Sequence, residues 1–332
     1  MTEHRAPGAD LADRVLEASV VGSFSRIGFK ARRALGLIGP LEQRLDGRAC
    51  WITGGSSGLG LTAALGLARL GADVRIVVRD AARGAEAKTR IERETGAKDV
   101  RVEVCDISSL GSVRALATRI VEREDPVHVL IHNAGVLPHT RTETDDGIEL
   151  TFATNVLGPY LLSELLLPRM RACAPSRILF VSSGGMYTER LAVDDLQSRE
   201  GTFSGPVAYS RSKRAEVAIC EEWADRLRGS GIVVHAMHPG WSDSPGIRDA
   251  LPGFSRLIGP ILRTPEEGVD TLLWLASADE PATTSGQFWL DRRPRAIYRL
   301  ARTRDSKVER DHLLAECARL AGLAEQAPRA VP

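Results

Sequence analysis

The sequence carries almost no net charge: 44 Lys and Arg stand against 43 Asp and Glu, a formal +1. Without a global field nothing draws in nucleic acid or an acidic partner, so any charged ligand has to be held by a local arrangement. Cysteine is sparse and unpatterned. Cys50, Cys105, Cys173, Cys220 and Cys317 include no CxxC pair, so neither a disulfide framework nor a bound metal is expected. No secretory leader precedes the first strand, and no run of about 18 apolar residues stands out, which leads to the expectation of a cytoplasmic protein that does not span a membrane. Internal repeats are missing, and no Pro/Gly/Ser-rich linker interrupts residues 48–290. The 332 residues therefore read as one domain with flanks, because α/β folds often use about 200–250 residues as a single unit.

What is present is alternation. The short apolar runs RACWIT, DVRIVV, VRVEVC, VHVLIH, RILFVS, GIVVHAM and GQFWL are separated by longer helical patterns. Runs so nearly continuous in apolar residues belong to strands covered on both faces. The expected fold is a single-domain α/β Rossmann fold: a doubly wound, seven-stranded parallel sheet over residues 46–295, with extra helices in an N-terminal extension (1–45) and a C-terminal tail (296–332).

In the extension, residues 1–10 read as disordered. The following LADRVLEASVVGSFSRIGFKARRALGLI has helical apolar spacing with Arg26, Lys30, Arg32 and Arg33 along it. It fits a helix packed on the sheet edge, or a basic amphipathic helix resting peripherally on anionic lipid. In the tail, SKVERDHLLAECARLAGL opens on a capping box of Ser306 and Glu309 and predicts a last helix.

The most informative stretch is WITGGSSGLGLTAALGLARLGADVRIVVRD. A strand ending at Thr53, then Gly54, Ser56, Ser57, Gly58, Leu59 and Gly60, then a helix, sets converging backbone N–H groups at a helix N-terminus, where a diphosphate binds. Arg79 ends the next strand, where such a fold reads the adenosine ribose. A guanidinium there suits a 2′-phosphate, favouring NADP(H) over NAD(H), although Asp80 follows and a solvated Arg79–Asp80 pair is the plainer alternative.

TGGSSGLG resembles the TGxxxGxG element of the short-chain dehydrogenase/reductase family. Later elements of that family follow in order: CDI (Asp106, Ile107), HNAG (Asn133, Ala134, Gly135), TNVLG (Asn155), VSS (Ser183), YSRSK (Tyr209, Lys213) and HPG (Pro239, Gly240). The likeness covers about residues 46–295, and FVSSGGMY, DDLQS, MHPGWSDSPGI and SGQFWLDRRP are most similar to the branch called dehydrogenase/reductase family member twelve. Retinol-dehydrogenase-like reductases are its cousins. One departure is His132, where the family usually has Asn before NAG. The resemblance implies cofactor contacts at Thr53, Gly54, Ser56, Ser57, Gly58, Leu59, Gly60, Arg79, Asp106, Ile107, Asn133, Ala134, Gly135, Tyr209, Lys213, Pro239 and Gly240. It also implies a catalytic set of Asn155, Ser183, Tyr209 and Lys213, with Asn155 holding a water that links the lysine to solvent.

Tyr209 and Lys213 stand four apart in a helical pattern and so share a face. Reduction of a carbonyl leaves an alkoxide that needs a proton, and a phenol of pKa near 10 serves near neutral pH only if a neighbouring ammonium stabilises its phenolate. Ser183, rather than its neighbour Ser182, is expected to orient the substrate oxygen. Tyr187 is read as a packed loop aromatic, His235 and His238 as structural, WSDSPGI as a mobile lid, and Arg292, Arg293 and Arg295 as a solvated basic cluster. The functional expectation is an NADP(H)-dependent oxidoreductase interconverting a carbonyl and an alcohol on a lipophilic small molecule, and a homo-oligomer. The rival is a catalytically idle NADP(H)-binding module that engages a membrane or a protein.

Overall fold

A computed structural model describes residues 8–242 and 259–323. Among these, eight strands form one sheet: β1 Ala49–Thr53, β2 Asp73–Val78, β3 Arg101–Val104, β4 Val129–His132, β5 Ser176–Val181, β6 Ile232–Met237, β7 Gln287–Leu290 and β8 Arg293–Arg295. Their spatial order is β3-β2-β1-β4-β5-β6-β7-β8. The first seven are parallel and coincide with the seven apolar runs. The eighth is an antiparallel addition to the expected sheet. It is joined to β7 by Asp291 and Arg292, with φ of 53° and 56°, the backbone of a two-residue hairpin turn whose twist matches the sheet. Pro294 within β8 cannot donate to a ladder, which suits an edge.

The helices are α1 Ala9–Ala18, α2 Val20–Phe24, α3 Arg26–Ala34, α4 Gly58–Arg69, α5 Ala81–Thr95, α6 Leu110–Glu122, α7 Leu150–Ala172, α8 Gly205–Arg226, α9 Pro265–Ser277 and α10 Lys307–Leu320. Helices α4, α5 and α9 cover one face of the sheet, while α6, α7 and α8 cover the other. Helix α7 has the length and apolar composition of a membrane span, but 83% of that stretch is buried; it is a core crossover helix. The Ser306–Glu309 capping box forms reciprocally at the start of α10, whose Leu313 and Cys317 are fully buried.

The N-terminal extension corrects two expectations. Its helical pattern is cut into three pieces at Ser19 and Ser25, with the Ser19 hydroxyl accepting from Gly22 N; residues 8–10, read as disordered, lead into α1. Arg32, counted on a basic face, is fully buried: it bonds Asp13 at 2.6 Å and Asp291 at 2.7 Å. The supposed solvated cluster is the other half of this contact. Arg293 pairs with Asp10, Arg295 with Asp13, and Arg292 with Asp270 while donating to Pro40 O. The three arginines therefore fasten the extension and α9 to the β7–β8 hairpin. Local sequence could not reveal this, because the acidic partners of Arg293 and Arg295 lie 283 and 282 residues away. Residues 243–247 of the expected lid at 241–247 and most of the expected disorder at 1–10 lie outside the described residues.

Candidate active site

In this topology the chain reverses direction between β1 and β4, and open α/β sheets bind ligands in the crevice beyond the strand ends at that switch point. Thr53 ties the two ends together. Its hydroxyl accepts from Asn133 N and Ala134 N, both at 3.0 Å, while Asn133 Nδ2 donates to Thr53 O at 2.9 Å. Gly54 lies at φ 70°, and a Cβ on Gly60 would stand 2.2 Å from Gly54 O. Only glycine lets the start of α4 seat against the turn. Ser57 occupies the N-cap without a side-chain bond to the helix, leaving the first N–H groups unclaimed by a cap. This cradle fits a diphosphate. Ser56 is half-buried and Ser57 exposed, whereas Leu59 packs toward the core.

At the end of β2, Arg79 is exposed and takes no side-chain partner among the described residues, and no ion pair joins it to Asp80. Asp80 instead caps α5, accepting from Arg83 N at 3.0 Å. The Asp80 carboxylate thus serves the helix, and it is not paired with Arg79. Asp106 Oδ1 accepts from both Ser108 N and Ser108 Oγ, and Ile107 is buried, its carbonyl against Gly158. These two shape the wall beside β3 more than they offer side chains to a ligand.

Asn155 sits in a π-helical turn, Ala153–Leu157, within α7, and such single-turn bulges mark functional sites. Its side chain is fully buried and bonded at both its oxygen and its nitrogen. Oδ1 accepts from Val136 N, while Nδ2 donates to Val136 O and to Ser212 Oγ, which in turn donates to Tyr209 O. Asn155 thus braces α8 against the loop after β4. On α8, Lys213 Nζ lies 5.5 Å from the centre of the half-buried Tyr209 ring and donates to Val181 O at 3.0 Å. A Cβ on Gly135 would approach Asn155 Oδ1 and Lys213 Nζ within 3.5 Å. Ser182 is buried with its hydroxyl given to Lys213 O; Ser183 is half-buried at the strand end and accepts from Gly185 N. That difference favours Ser183 as the group turned to a ligand.

Pro239 and Gly240 follow β6. Gly240, at φ 70°, is hemmed by Arg263 and by the carbonyl of Phe24. Phe24 is a site-wall residue that sequence reading missed: its ring abuts Gly184 and stacks on Tyr187, and its carbonyl accepts from Trp241 N. Nothing local marks it, since it sits more than 150 residues from its neighbours. Tyr187 is packed, its hydroxyl donating to Ala296 O. His132 is buried with Nε2 against Ser163 Oγ at 2.7 Å, and burial holds the ring down to about 3, far below the usual histidine range. His235 is held between Pro281 O and Trp289 Nε1, and His238 Nδ1 accepts from Gly240 N.

The family described as short chain dehydrogenase matches residues 48–251. A Bos taurus protein named dehydrogenase/reductase SDR family member 12 is 40% identical over 278 residues, covering 82% of this chain and 86% of the relative. Human retinol dehydrogenase 13 is 35% identical over 301 residues, covering 88% and 90%. Among solved structures, the Pseudomonas aeruginosa RhlG/NADP active-site complex is similar with a TM-score of 0.61 and 28% identity, over 74% of this chain and 94% of that one.

Proposed function

The chain belongs to the short-chain dehydrogenase/reductase family and is an NAD(P)-dependent oxidoreductase; we propose that it uses NADP(H) to interconvert a carbonyl and an alcohol on a lipophilic small molecule. The observation that supports this reading is the setting of Lys213 Nζ, 5.5 Å from the Tyr209 ring centre, donating to Val181 O two residues before Ser183, and 3.5 Å from where a Cβ on Gly135 would stand. The Gly54–Gly60 turn, Arg79, Asn133–Gly135 and Lys213 would hold the nicotinamide cofactor, which when bound would supply or accept the hydride. Ser183 orients the substrate oxygen, and Tyr209 gives that oxygen its proton or removes it. Lys213 stabilises the phenolate, and Asn155 keeps α8 in register through Ser212. Lipophilicity is supported by the likeness to human retinol dehydrogenase 13 and by the aromatic wall of Phe24, Tyr187 and Trp241. NADPH consumption across aldehydes, ketones, steroids and retinoids tests the reading. An idle binding module would bind NADPH and turn over none of them.

Cofactor choice rests on Arg79. Charge-assisted bonds to a 2′-phosphate contribute about 1.5–3 kcal/mol, so Arg79→Ala should weaken NADPH roughly tenfold or more and leave NADH almost unchanged. Equal affinity for both cofactors in the unmutated protein would sink the preference.

A peripheral membrane contact is favoured by one further observation. Leu11, Val15, Val20, Val21 and Ile27 of α1–α3 are all about half exposed or more, at 68%, 66%, 51%, 49% and 56%, and the exposed Arg14, Lys30 and Arg33 lie among them. Apolar side chains interleaved with cations suit an anionic lipid surface. Co-sedimentation with anionic vesicles should be seen at low ionic strength and fade with added salt. No co-sedimentation at low salt would reject the contact.

A further inference from the structure

Glu216 lies one turn beyond Lys213 on α8, at the i,i+3 spacing that puts both side chains on one face. Such a pair in YSRSKRAE reads as an exposed ion pair. In the fold both side chains are 3% exposed, and Lys213 Nζ donates to Glu216 Oε1 at 2.6 Å. With Val181 O as the other acceptor, two of the three ammonium donors are engaged. Glu216 Oε2 is buried with no hydrogen-bond partner. The groups facing this pair add no other cation. Tyr209 lies on the same helix, Ser182 comes from the end of β5, His132 from β4 is held neutral by burial, and Asn155 from the π turn of α7 is uncharged.

We infer that Glu216 is a positioning residue that holds the Lys213 ammonium until cofactor binds, and takes up a proton when Lys213 is drawn away to it. The inference rests on the proposed contact of Lys213 with the cofactor. A carboxylate so enclosed is tolerated only while the ammonium faces it. Burial already pushes the Glu216 carboxyl above its usual range, against the pull of Lys213. Burial likewise pulls the Lys213 ammonium down, but the charges of Glu216 and Tyr209 outweigh it and hold the lysine above its usual range. Once Lys213 turns its donors elsewhere, the remaining opposing charge on Glu216 is gone and the neutral acid becomes the stable form.

Titration calorimetry of the full chain with NADPH, at one near-neutral pH in buffers of different ionisation enthalpy, counts the protons exchanged on binding. The unmutated protein should take up a clear fraction of a proton, at most one, per NADPH. Glu216→Gln keeps the size and one acceptor for Lys213 and should abolish most of that uptake. Binding heat that does not vary with buffer, or uptake that persists undiminished in Glu216→Gln, would overturn the proposal. If the glutamine variant does not fold, the unmutated protein alone decides, through the presence or absence of uptake. The absence of any binding in any buffer would instead refute the cofactor reading on which the inference stands.

Discussion

Tyr209→Phe is expected to lower turnover by about 10²–10⁴, the reach of general acid–base catalysis, while NADPH affinity stays nearly unchanged. The substitution removes one oxygen and spares what holds the helix, because the chain Asn155–Ser212–Tyr209 ends on the tyrosine carbonyl, not on its phenol. Ring packing and the place of Lys213 are likewise kept. Lys213→Ala should behave differently. It strips Val181 O of its donor and leaves Glu216 buried without its counter-charge, so stability, cofactor binding and turnover should fall together. The measurement is turnover of the best panel substrate alongside a cofactor titration on folded protein. A Tyr209→Phe protein that binds NADPH and reduces that substrate at the unmutated rate would refute the acid–base role.

The parts of this molecule that were legible in the sequence are those in which local pattern and tertiary environment agree. The strands inside the sheet could be placed because burial on both faces demands nearly unbroken apolar residues, and Ile52, Ile76 and Leu130 have no exposed surface at all, whereas the edge strand β3 leaves Arg101 and Val104 exposed. The glycine turn was legible because Gly54 and Gly60 answer a steric demand no other residue meets. The helix at 307–320 was announced by its own capping box. What stayed hidden depends on charges buried by partners distant in the chain. Glu216, Arg32, Arg263 and Arg295 look like solvated surface in any local window, and only the fold encloses them. The π turn at Asn155 has no compositional mark either. Asp291–Arg292 breaks the usual preference for Asn-Gly in a hairpin turn, and long-range ion pairs hold what the local sequence disfavours.

That hairpin carries the largest stability effect to be expected. Asp291 is fully buried and accepts from Arg263 at 2.6 and 2.9 Å and from Arg32 at 2.7 Å. Arg263 also donates to the carbonyls of Ser23 and Phe24, so one carboxylate clamps the extension, the bridge residue just before α9, and the sheet edge. Asn at this position tolerates the positive φ but leaves the buried Arg263 guanidinium without a counter-charge among the described residues and Arg32 with Asp13 and Glu17 alone, and breaking a buried pair costs about 3–5 kcal/mol. Asp291→Asn should therefore show a clear fall in the denaturation midpoint, and proteolysis should cut within residues 9–38 before it reaches the core. Acid should loosen the same clamp. Burial pushes the Asp13 carboxyl up, but bonds from Arg295 and Arg32 outweigh it and hold it below its usual range. Its contribution is therefore present above the ordinary carboxylate pKa and disappears as the pH falls through the lowered one. Because the Phe24 carbonyl is bonded to Trp241 N and its ring seals Gly184, a loosened extension also opens the wall beside Ser183. Activity in Asp291→Asn should decline with the N-terminal cleavage and not with global unfolding. A variant whose stability falls by less than about 1 kcal/mol, within the range of ordinary surface substitutions, would show that the clamp does not hold the extension.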